Sequence, residues 1–535
     1  MSFSSQSSEK RGRLTENKGG SAMKYALSIA ALLLAMSQQQ PALAQGSGDL
    51  VKQAVAAEGG AELRALKGLA IKGDAKFWEP GQSFVAGAEP RFLGDATFAT
   101  TWDLANGRVR TAWDRDQKYP DPPVKMKYTE TVLPALGYVT DEKSSQAMSG
   151  IRVATHQREI QRASPWLLVK AMDEPGKVRA AGSQRLGQQS LPAVSYADGP
   201  TTFTILFDPK THLPAAVRTR DDDNINGDSN FDLVLADWKA VAGVQIAQSL
   251  SYRVNDVEVA KFTYREVSAN PTIAADVFAV PDAVKAAAKP PATGNVPYQW
   301  VLRRLFLTRF TDSDNVIFPD GGGLKLVELT PNVQHVEGGT ANNLIVAMKD
   351  HLVIFDAPYG EMQSRWVIDA AKAKYPGKPI RYLVLTHHHM DHTGGMRTYV
   401  AEGAKVIVPS PDKAYFEKDV KAPHTLVSDA LQKKPRAAEI IEVKDQMTLK
   451  DEAAEIRLYN ITNPHVQGFL LAHVVMGNIL YVTDLISPRG PIARSEGTAA
   501  VGEILRKYGI TGATIAGGHG TLAKQSDIGP ALAAK

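Results

Sequence analysis

A cluster of four histidines and one aspartate directly follows an apolar segment in the second half of the chain. Residues 381–395 read RYLVLTHHHMDHTGG, so the apolar residues run into the cluster and a Gly-Gly turn closes it. The apolar part is typical of a buried strand, and α/β proteins place their sites at the carboxyl ends of such strands. We therefore expect an α/β domain with a site at one edge of its sheet.

The segments around this cluster alternate between strand and helix patterns. Trp366, Val367, Ala370 and Ala373 make one helical face, and a second helix around Val501 should end before Gly509. Short apolar segments predict buried strands at His351–Pro358, Arg381–His387, Ala404–Ser410, Asn478–Asp484 and Gly512–Gly518.

Imidazole and carboxylate groups at this spacing indicate a metal site. In extended backbone His387 and His389 share a face, whereas His388 points away and should be solvated or lie behind the ligands. Asp391 and His392 follow in the turn, from which they can reach a second ion. These ligand types suit zinc and also tolerate iron or manganese. Thiolate ligands, disulfides and a cysteine nucleophile are excluded because the chain has no cysteine.

The motif THHHMDHTGG resembles the H-x-H-x-D-H signature of the metallo-β-lactamase superfamily, whose fold is an αββα sandwich with metals at one edge. The resemblance covers roughly residues 324–535 and implies three further ligands downstream. The segments LYNITNPHVQGF, NILYVTDLI and GATIAGGHG supply the candidates His465, Asp484 and His519. Asp356, in HLVIFDAP, is expected to be a structural acid behind the ligands. By this resemblance, the metal ligands are His387, His389 and His465 for one ion and Asp391, His392 and His519 for the other, with Asp484 bridging both.

The resemblance implies a zinc-dependent dinuclear metallohydrolase. Two divalent ions, with zinc the expected metal, would activate a water molecule to attack an ester, lactone, thioester or related bond, and Asp391 would orient that water or accept its proton. A β-lactamase is a less favoured alternative, because the true β-lactamases of this superfamily generally lack an aspartate that bridges both metals. The alternative from another class is a periplasmic binding or carrier protein in which the metal domain is only structural.

The first 44 residues predict an N-terminal extension and a secretory signal peptide. From Met23 the chain reads MKYALSIAALLLAMSQQQPALAQ, which has a positive start, a short apolar run and an A-x-A site that places cleavage near Ala44. The apolar run is too short for a permanent membrane span, and we see no second candidate. We therefore expect a periplasmic or secreted protein without stable membrane insertion.

Residues 46–282 predict a β-rich, mostly antiparallel domain with an N-terminal helix near Val51–Leu66. Short β-branched and aromatic segments such as TTFTILFDP and EVAKFTYREV are separated by turn residues. The stretch DDNINGD has four calcium-loop positions but has Leu233 where a glutamate is required, which favours a hairpin turn. This region faintly resembles periplasmic lipoprotein carriers. Residues 283–323 predict a linker, and residues 324–535 the metal-binding domain.

The charge balance argues against nucleic acid as a partner. The chain has 61 basic and 57 acidic residues without a dense basic face, so a small-molecule substrate is expected, and the oligomeric state stays open. The other histidines have more ordinary interpretations. His473 reads as a core strand residue and His424 as a loop residue rather than part of the substrate site, and His335 and His351 should carry no chemistry.

Overall fold

The computed structural model describes residues 46–119, 123–291, 323–339, 341–490 and 492–533. The predicted signal peptide and most of the predicted linker lie outside these residues. The described residues from Ser47 onward form one compact unit. Among the described residues, no helix combines the length and apolarity that crossing a membrane requires.

The N-terminal region is built on a large antiparallel sheet of thirteen strands among the described residues. Neighbouring strands are mostly consecutive in the chain, and β1 pairs with β13 to join the two halves of the sheet. In β1, Leu69, Ile71, Ala75 and Phe77 alternate with more exposed residues and enter the core, as the period of a half-buried strand requires. The strands are β1 Gly68–Glu79, β2 Arg91–Asp103, β3 Arg108–Gln117, β4 Val124–Val132, β5 Gly137–Thr140, β6 Ser145–Ala147, β7 Val178–Leu186, β8 Gln189–Asp198, β9 Thr201–Phe207, β10 Pro214–Asp223, β11 Gly227–Val241, β12 Val244–Val254 and β13 Val257–Ala269.

Short helices pack on this sheet. The single helix expected near Val51–Leu66 is two helices, because Gly59 and Gly60 adopt positive φ values of 139° and 58° that interrupt it. The helices of this region are α1 Ser47–Glu58, α2 Ala61–Ala65, α3 Gly150–Ala163, α4 Trp166–Asp173 and α5 Asp282–Ala287. Helix α5 falls at the start of the predicted linker.

The C-terminal region is an αββα sandwich, which confirms the predicted fold class. Its seven-stranded sheet is antiparallel from β14 to β17 and parallel from β17 to β20, and its six-stranded sheet has one parallel pair, β24 with β25. The strands are β14 Lys325–Thr330, β15 Val333–Glu337, β16 Asn343–Ala347, β17 Leu352–Phe355, β18 Ile380–Val384, β19 Lys405–Pro409, β20 Ile440–Val443, β21 Gln446–Lys450, β22 Glu455–Asn460, β23 Leu470–Val474, β24 Ile479–Val482, β25 Thr514–Gly517 and β26 Leu522–Lys524.

Alternate residues of each central strand face different layers. In β16, Leu344 and Val346 pack against the other sheet, while Ile345 packs against helix residues such as Val367. On the far side, Val501 and its neighbours cover the six-stranded sheet. The helices are α6 Glu361–Lys374, α7 Met390–Thr393, α8 Met396–Glu402, α9 Lys413–Asp419, α10 Ala430–Lys433, α11 Glu496–Lys507 and α12 Gln525–Ala533.

The backbone around the histidine cluster differs from the sequence-based expectation. Strand β18 ends at Val384, so His387 to His389 lie on a bend rather than on the strand. The turn that carries Asp391 and His392 is the one-turn helix α7, with His389 as its N-cap residue. Extended backbone is therefore the wrong account of how His387 and His389 converge, since the bend brings them together.

Two segments of the N-terminal region make backbone hydrogen bonds to the C-terminal sandwich among the described residues. The first is the 3₁₀ turn Pro80–Gln82 with the residues after it, where the backbone N–H of Gln467 donates to Phe84 O at 2.8 Å. The second is the β10–β11 hairpin, where the backbone N–H of Asp228 donates to Pro423 O at 2.7 Å. The stretch DDNINGD is this hairpin, and Asp223 Oδ1 accepts two backbone N–H groups of the turn, which confirms the turn interpretation.

Candidate metal centre

The predicted ligand residues come from five places in the C-terminal sandwich and meet at one edge of it. They follow β18, occupy α7, lie in the loop between β22 and β23, and follow β24 and β25. Loops after parallel strands of one edge meet in space, which explains how residues more than a hundred positions apart converge. They form two groups: the imidazole group is His387, His389 and His465, and the mixed group is Asp391, His392, Asp484 and His519.

The imidazole group presents ring nitrogens towards one point. Within it, one potential ligand atom from each residue lies within 4.8 Å of the others. His389 Nδ1 and His465 Nε2 are 3.0 Å apart, and the His387 and His389 ring centroids are 4.5 Å apart. His387 and His389 are fully buried.

The mixed group combines two carboxylates with two imidazoles at similar spacing. His392 Nε2 lies 3.1 Å from His519 Nε2 and 2.9 Å from Asp484 Oδ2. Asp391 Oδ2 is 3.6 Å from His519 Nε2 and 3.9 Å from His392 Nε2. This arrangement gathers negative charge and nitrogen donors around one small volume.

Asp484 lies between the two groups. Its Oδ2 is 3.4 Å from His387 Nε2, and its Oδ1 is 3.7 Å from His465 Nε2 and 3.2 Å from His519 Nε2. The Asp484 backbone has a φ of 31°, and the N–H of Leu485 donates to Thr483 O across it, which makes a tight turn of a rare type. Strained backbone of this kind is found preferentially at functional sites.

Hydrogen bonds behind the rings fix the positions of their protons. His389 Nε2 lies 3.0 Å from the carbonyl of Ser83, and His392 Nδ1 lies 3.0 Å from Asp356 Oδ2. Both partners only accept, so each neutral ring carries its proton on that side and directs a lone pair towards its group. Asp356 therefore takes the predicted place behind the ligands.

The proton of His387 is positioned in the same way, but through one intermediate residue, Thr386. Thr386 Oγ1 donates to Asp356 Oδ2 at 3.1 Å, so it accepts from His387 Nδ1 at 3.1 Å. The opposite nitrogen, His387 Nε2, is buried and has no hydrogen-bond partner among the described residues. Buried polar atoms are seldom unpartnered, and lone pairs directed at one another repel unless a cation lies between them. The donor set therefore fits two metal ions.

Burial and the carboxylates move the pKa values of histidines in the two groups in opposite directions. Burial lowers the pKa of His387 and of His389 well below the usual histidine value, and that of His465 to about 4. Burial opposes protonation of His392 too, but the neighbouring carboxylates, led by Asp484, raise its pKa well above the usual value. Without metal, the histidines of the imidazole group are thus neutral, whereas His392 of the mixed group retains its proton.

The N-terminal region contributes residues to this centre that the sequence analysis did not find. Gln82 Nε2 donates to Asp391 Oδ1 at 2.6 Å, and the ring of Tyr119 stacks on His465 with centroids 6.3 Å apart. Arg91 Nη2 donates to the backbone carbonyl of His465 at 2.7 Å. The segment PGQSF resembles no motif and lies some three hundred residues before the cluster, so it carries no signal for this contact.

Three further histidines, His388, His473 and His424, have structural partners. His388 is buried, which corrects the solvated interpretation, and its Nε2 donates to Ser83 O at 2.9 Å, so the alternative position behind the ligands is the right one. His473 is a strand residue that donates to Asn478 Oδ1 at 3.0 Å, as predicted. His424 is a buried rather than an exposed loop residue, and its Nδ1 lies 2.7 Å from Asp222 Oδ1.

His335 and His351 also have protein neighbours. His335 Nε2 donates to Gly517 O at 2.9 Å, and His351 Nδ1 lies 2.6 Å from Asp350 Oδ1. Asp451 completes a third close group with the latter pair. Its carboxylate accepts three backbone N–H groups and Asp350 pairs with Arg381 at 2.9 Å, so protein contacts account for this group without an ion.

Comparison with known proteins places this centre in a family. The model of the metallo-β-lactamase superfamily matches residues 336–522. The C-terminal part of this chain belongs to the metallo-β-lactamase superfamily. All seven predicted ligand residues lie within the matched residues of this metallo-β-lactamase domain, whereas Gln82, Ser83 and Tyr119 lie outside them.

Two curated relatives match parts of the chain. A linear primary-alkylsulfatase of Pseudomonas sp. is 33% identical over 78 residues, which is 14% of this chain and 12% of that protein. The metallo-β-lactamase IND-1 of Chryseobacterium indologenes is 27% identical over 86 residues, 16% of this chain and 36% of that protein. The matches thus span well under half the length of either relative. A solved metallo-β-lactamase from Pontibacter korlensis aligns over 39% of this chain and 97% of its own at 16% identity, with a TM-score of 0.31.

Proposed function

We propose that this protein is a zinc-dependent dinuclear hydrolase of an ester, lactone, thioester or related bond. The observation that carries the proposal is the position of Asp484, whose carboxylate lies within 3.7 Å of nitrogens from both the imidazole group and the mixed group. A carboxylate shared in this way can serve two cations at once. It also favours ester-type substrates over β-lactams, because the true β-lactamases of the superfamily generally lack such an aspartate.

The chain would hold the two ions with the residues already described. His387, His389 and His465 would bind one ion, and Asp391, His392 and His519 the other, with Asp484 between them. When bound, the two ions would polarise the scissile bond and make a water molecule nucleophilic near neutral pH.

Other contacts of the chain would orient these ligands. Asp356 holds His392, and through Thr386 also His387, in the tautomer that presents a lone pair to the centre. Asp391 has one oxygen bound by Gln82 and the other directed at the mixed group, where it would orient the attacking water or accept its proton.

The relatives widen the range of bonds to be tested. The alkylsulfatase match adds sulfate esters to the carboxylic esters, lactones and thioesters, and the match to IND-1 keeps β-lactams among the alternatives. A small-molecule substrate is common to all of these.

The test combines metal content with a substrate panel. Purified protein should contain about two zinc equivalents by elemental analysis, lose hydrolysis of its best substrate on chelation and regain it with added zinc. The panel contains lactone, thioester, carboxylic ester, sulfate ester, phosphodiester and β-lactam substrates. Fewer than one bound transition-metal ion per chain, or no turnover on any panel member, would refute the proposal.

We further propose that the enzyme acts in the periplasm or outside the cell. This rests on the signal-peptide pattern of residues 23–44. Amino-terminal sequencing of the protein from the cell envelope should begin near Gln45, whereas a start at Met1 or Met23 in a cytoplasmic fraction would contradict it.

A further inference from the structure

A segment of the large N-terminal sheet reaches the metal centre. After β1 the chain makes the 3₁₀ turn Pro80–Gln82, where the side chain of Glu79 accepts the backbone N–H of Gly81 at 2.8 Å. This cap sets the direction of the turn and buries Gln82, which is 6% exposed. The Gln82 side chain thereby lies in a fixed position next to Asp391.

The orientation of the Gln82 amide follows from its two neighbours. Gln82 Nε2 lies 2.6 Å from Asp391 Oδ1, and a carboxylate in this position can only accept, so the NH₂ group faces it. The other end, Gln82 Oε1, accepts the hydroxyl of Tyr119 at 2.6 Å. A turned amide would place its oxygen against Asp391, two acceptors together, and would lose the hydroxyl donor of Tyr119, so both neighbours favour the observed orientation.

Arg91 ties these residues to the imidazole group. Its Nε donates to Gln82 O at 2.5 Å, its Nη2 donates to His465 O at 2.7 Å, and its guanidinium lies 4.6 Å from the centroid of the Tyr119 ring. One arginine thus fixes the backbone of the turn, the ring that orients the amide and the loop that carries a ligand.

Because of the contact with Gln82, the two carboxylate oxygens of Asp391 have different partners. Oδ1 is bound by the amide, while Oδ2 points to His519 Nε2 and His392 Nε2 at 3.6 and 3.9 Å. A carboxylate bound on one oxygen cannot rotate freely, so Oδ2 is held where a cation in the mixed group would need it.

We propose that Gln82, oriented by Tyr119, is a positioning residue for the mixed group, so that the N-terminal sheet completes a metal centre whose ligands all come from the C-terminal domain. This inference rests on the proposed metal centre and extends it. The turn Pro80–Gln82 thus has a role in setting the affinity of one of the two metal positions.

The test compares isosteric variants with matched controls in the full-length protein. Gln82→Met removes the amide at similar volume, and Tyr119→Phe removes only the hydroxyl. The controls are Gln248→Met and Tyr138→Phe, whose side chains are buried residues of the large sheet and donate to the backbone carbonyls of Ile246 and Ala279. Metal-free protein is titrated with zinc against a chromophoric chelator, and with cobalt to follow the absorption of each position.

Gln82→Met should weaken one of the two zinc equivalents by about tenfold and leave the other within about twofold, as expected for loss of a partner behind a ligand. The cobalt absorption of the weakened position should change. A further Asp391→Ala substitution should leave the zinc affinity of the other position unchanged, which would identify the weakened position as the mixed group. Tyr119→Phe should act in the same direction by about threefold, since Gln82 Oε1 then loses the hydroxyl that helps to fix the amide. Both controls should match the unmodified protein.

Two results would overturn the proposal. One is a Gln82→Met protein with both affinities unchanged, and the other is an equal loss at both positions, which would mean that the turn only packs against the domain. The thermal midpoint of the metal-free variants shows whether they fold, and if Gln82→Met does not, Tyr119→Phe decides alone. Because titration needs no substrate, a selective loss without hydrolysis of any panel member would refute the proposed function and keep this inference, whereas hydrolysis with unchanged affinities would do the reverse.

Discussion

The imidazole group and the mixed group lie side by side but are built by different means. The imidazole group is neutral, since burial lowers the pKa of His387 and His389, and one of its rings is held by a backbone carbonyl, that of Ser83. The mixed group contains carboxylates that raise the pKa of His392, which is held by the side chain of Asp356. The imidazole group therefore offers a cation lone pairs without charge, and Asp484 is the negative charge within its reach.

The largest expected effect is that of Asp484→Ala. Because this carboxylate lies close to nitrogens of both groups, its loss should weaken zinc binding at both positions and lower kcat/KM on the best panel substrate by at least about 10³-fold. Elemental analysis and steady-state kinetics measure the two effects. Asp369→Ala, an exposed aspartate of α6, is the matched control and should retain both properties.

A loss of zinc affinity confined to the mixed group in Asp484→Ala would contradict this expectation. In that case the imidazole group would not depend on Asp484 for charge, and the assignment of a shared carboxylate would be wrong.

Asp356→Asn should have the next largest effect. Asp356 Oδ2 lies within hydrogen-bond distance of His392 Nδ1, Thr386 Oγ1 and the Tyr481 hydroxyl, and an amide NH₂ in that place would oppose three donors. Asparagine tolerates the φ of 59° at this position, so the backbone is not the cause of any loss. We expect zinc affinity at the mixed group to fall 10- to 100-fold, with a smaller loss at the imidazole group, which Asp356 reaches through Thr386.

Competition titration separates these two losses, with Asp369→Asn as the control. Equal losses at both groups would show that Asp356 supports the whole edge of the sandwich rather than His392 in particular.

The sequence predicts the residues of the mixed group and Asp356, which holds His392, but it does not predict the Ser83 carbonyl that holds His389 in the imidazole group. Most of the candidate ligand residues come soon after strands of one sandwich, and the ends of such strands are recognisable from apolar segments, as Asp484 after NILYV shows. Asp356 is found for the same reason, since it directly follows β17. Side chains that perform chemistry at strand ends leave a pattern of residue types at fixed distances from apolar residues.

The contributions of the N-terminal sheet leave no such pattern. A backbone carbonyl is present at every position, so nothing distinguishes Ser83 in the sequence, and a glutamine such as Gln82 is far more often a surface residue than a partner of a ligand. Their role depends on how two regions of the chain pack together, which local patterns do not encode. Local patterns also do not predict the bend at His387–His389, because propensity extends β18 further than the packing allows.

Ser83→Ala should have the smallest effect, but it gives the most specific test of how the imidazole group and the mixed group differ. Alanine keeps the carbonyl that holds His389 but removes the hydroxyl, which donates to Val85 O at 2.8 Å and so helps to fix the segment. Loss of one such hydrogen bond is worth about 1 kcal/mol, or about fivefold, so zinc affinity should fall by no more than that and only at the imidazole group. Ser145→Ala, which removes a hydroxyl paired with Thr140 in the β5–β6 hairpin, is the control and should leave both affinities unchanged.

Because Gln82 and Ser83 are adjacent but contact different groups, opposite selectivity of Gln82→Met and Ser83→Ala would mean that one short segment affects the two metal positions separately. If Ser83→Ala weakened the mixed group instead, the Ser83 hydroxyl would help to fix the segment at Gln82 rather than at the carbonyl that contacts His389.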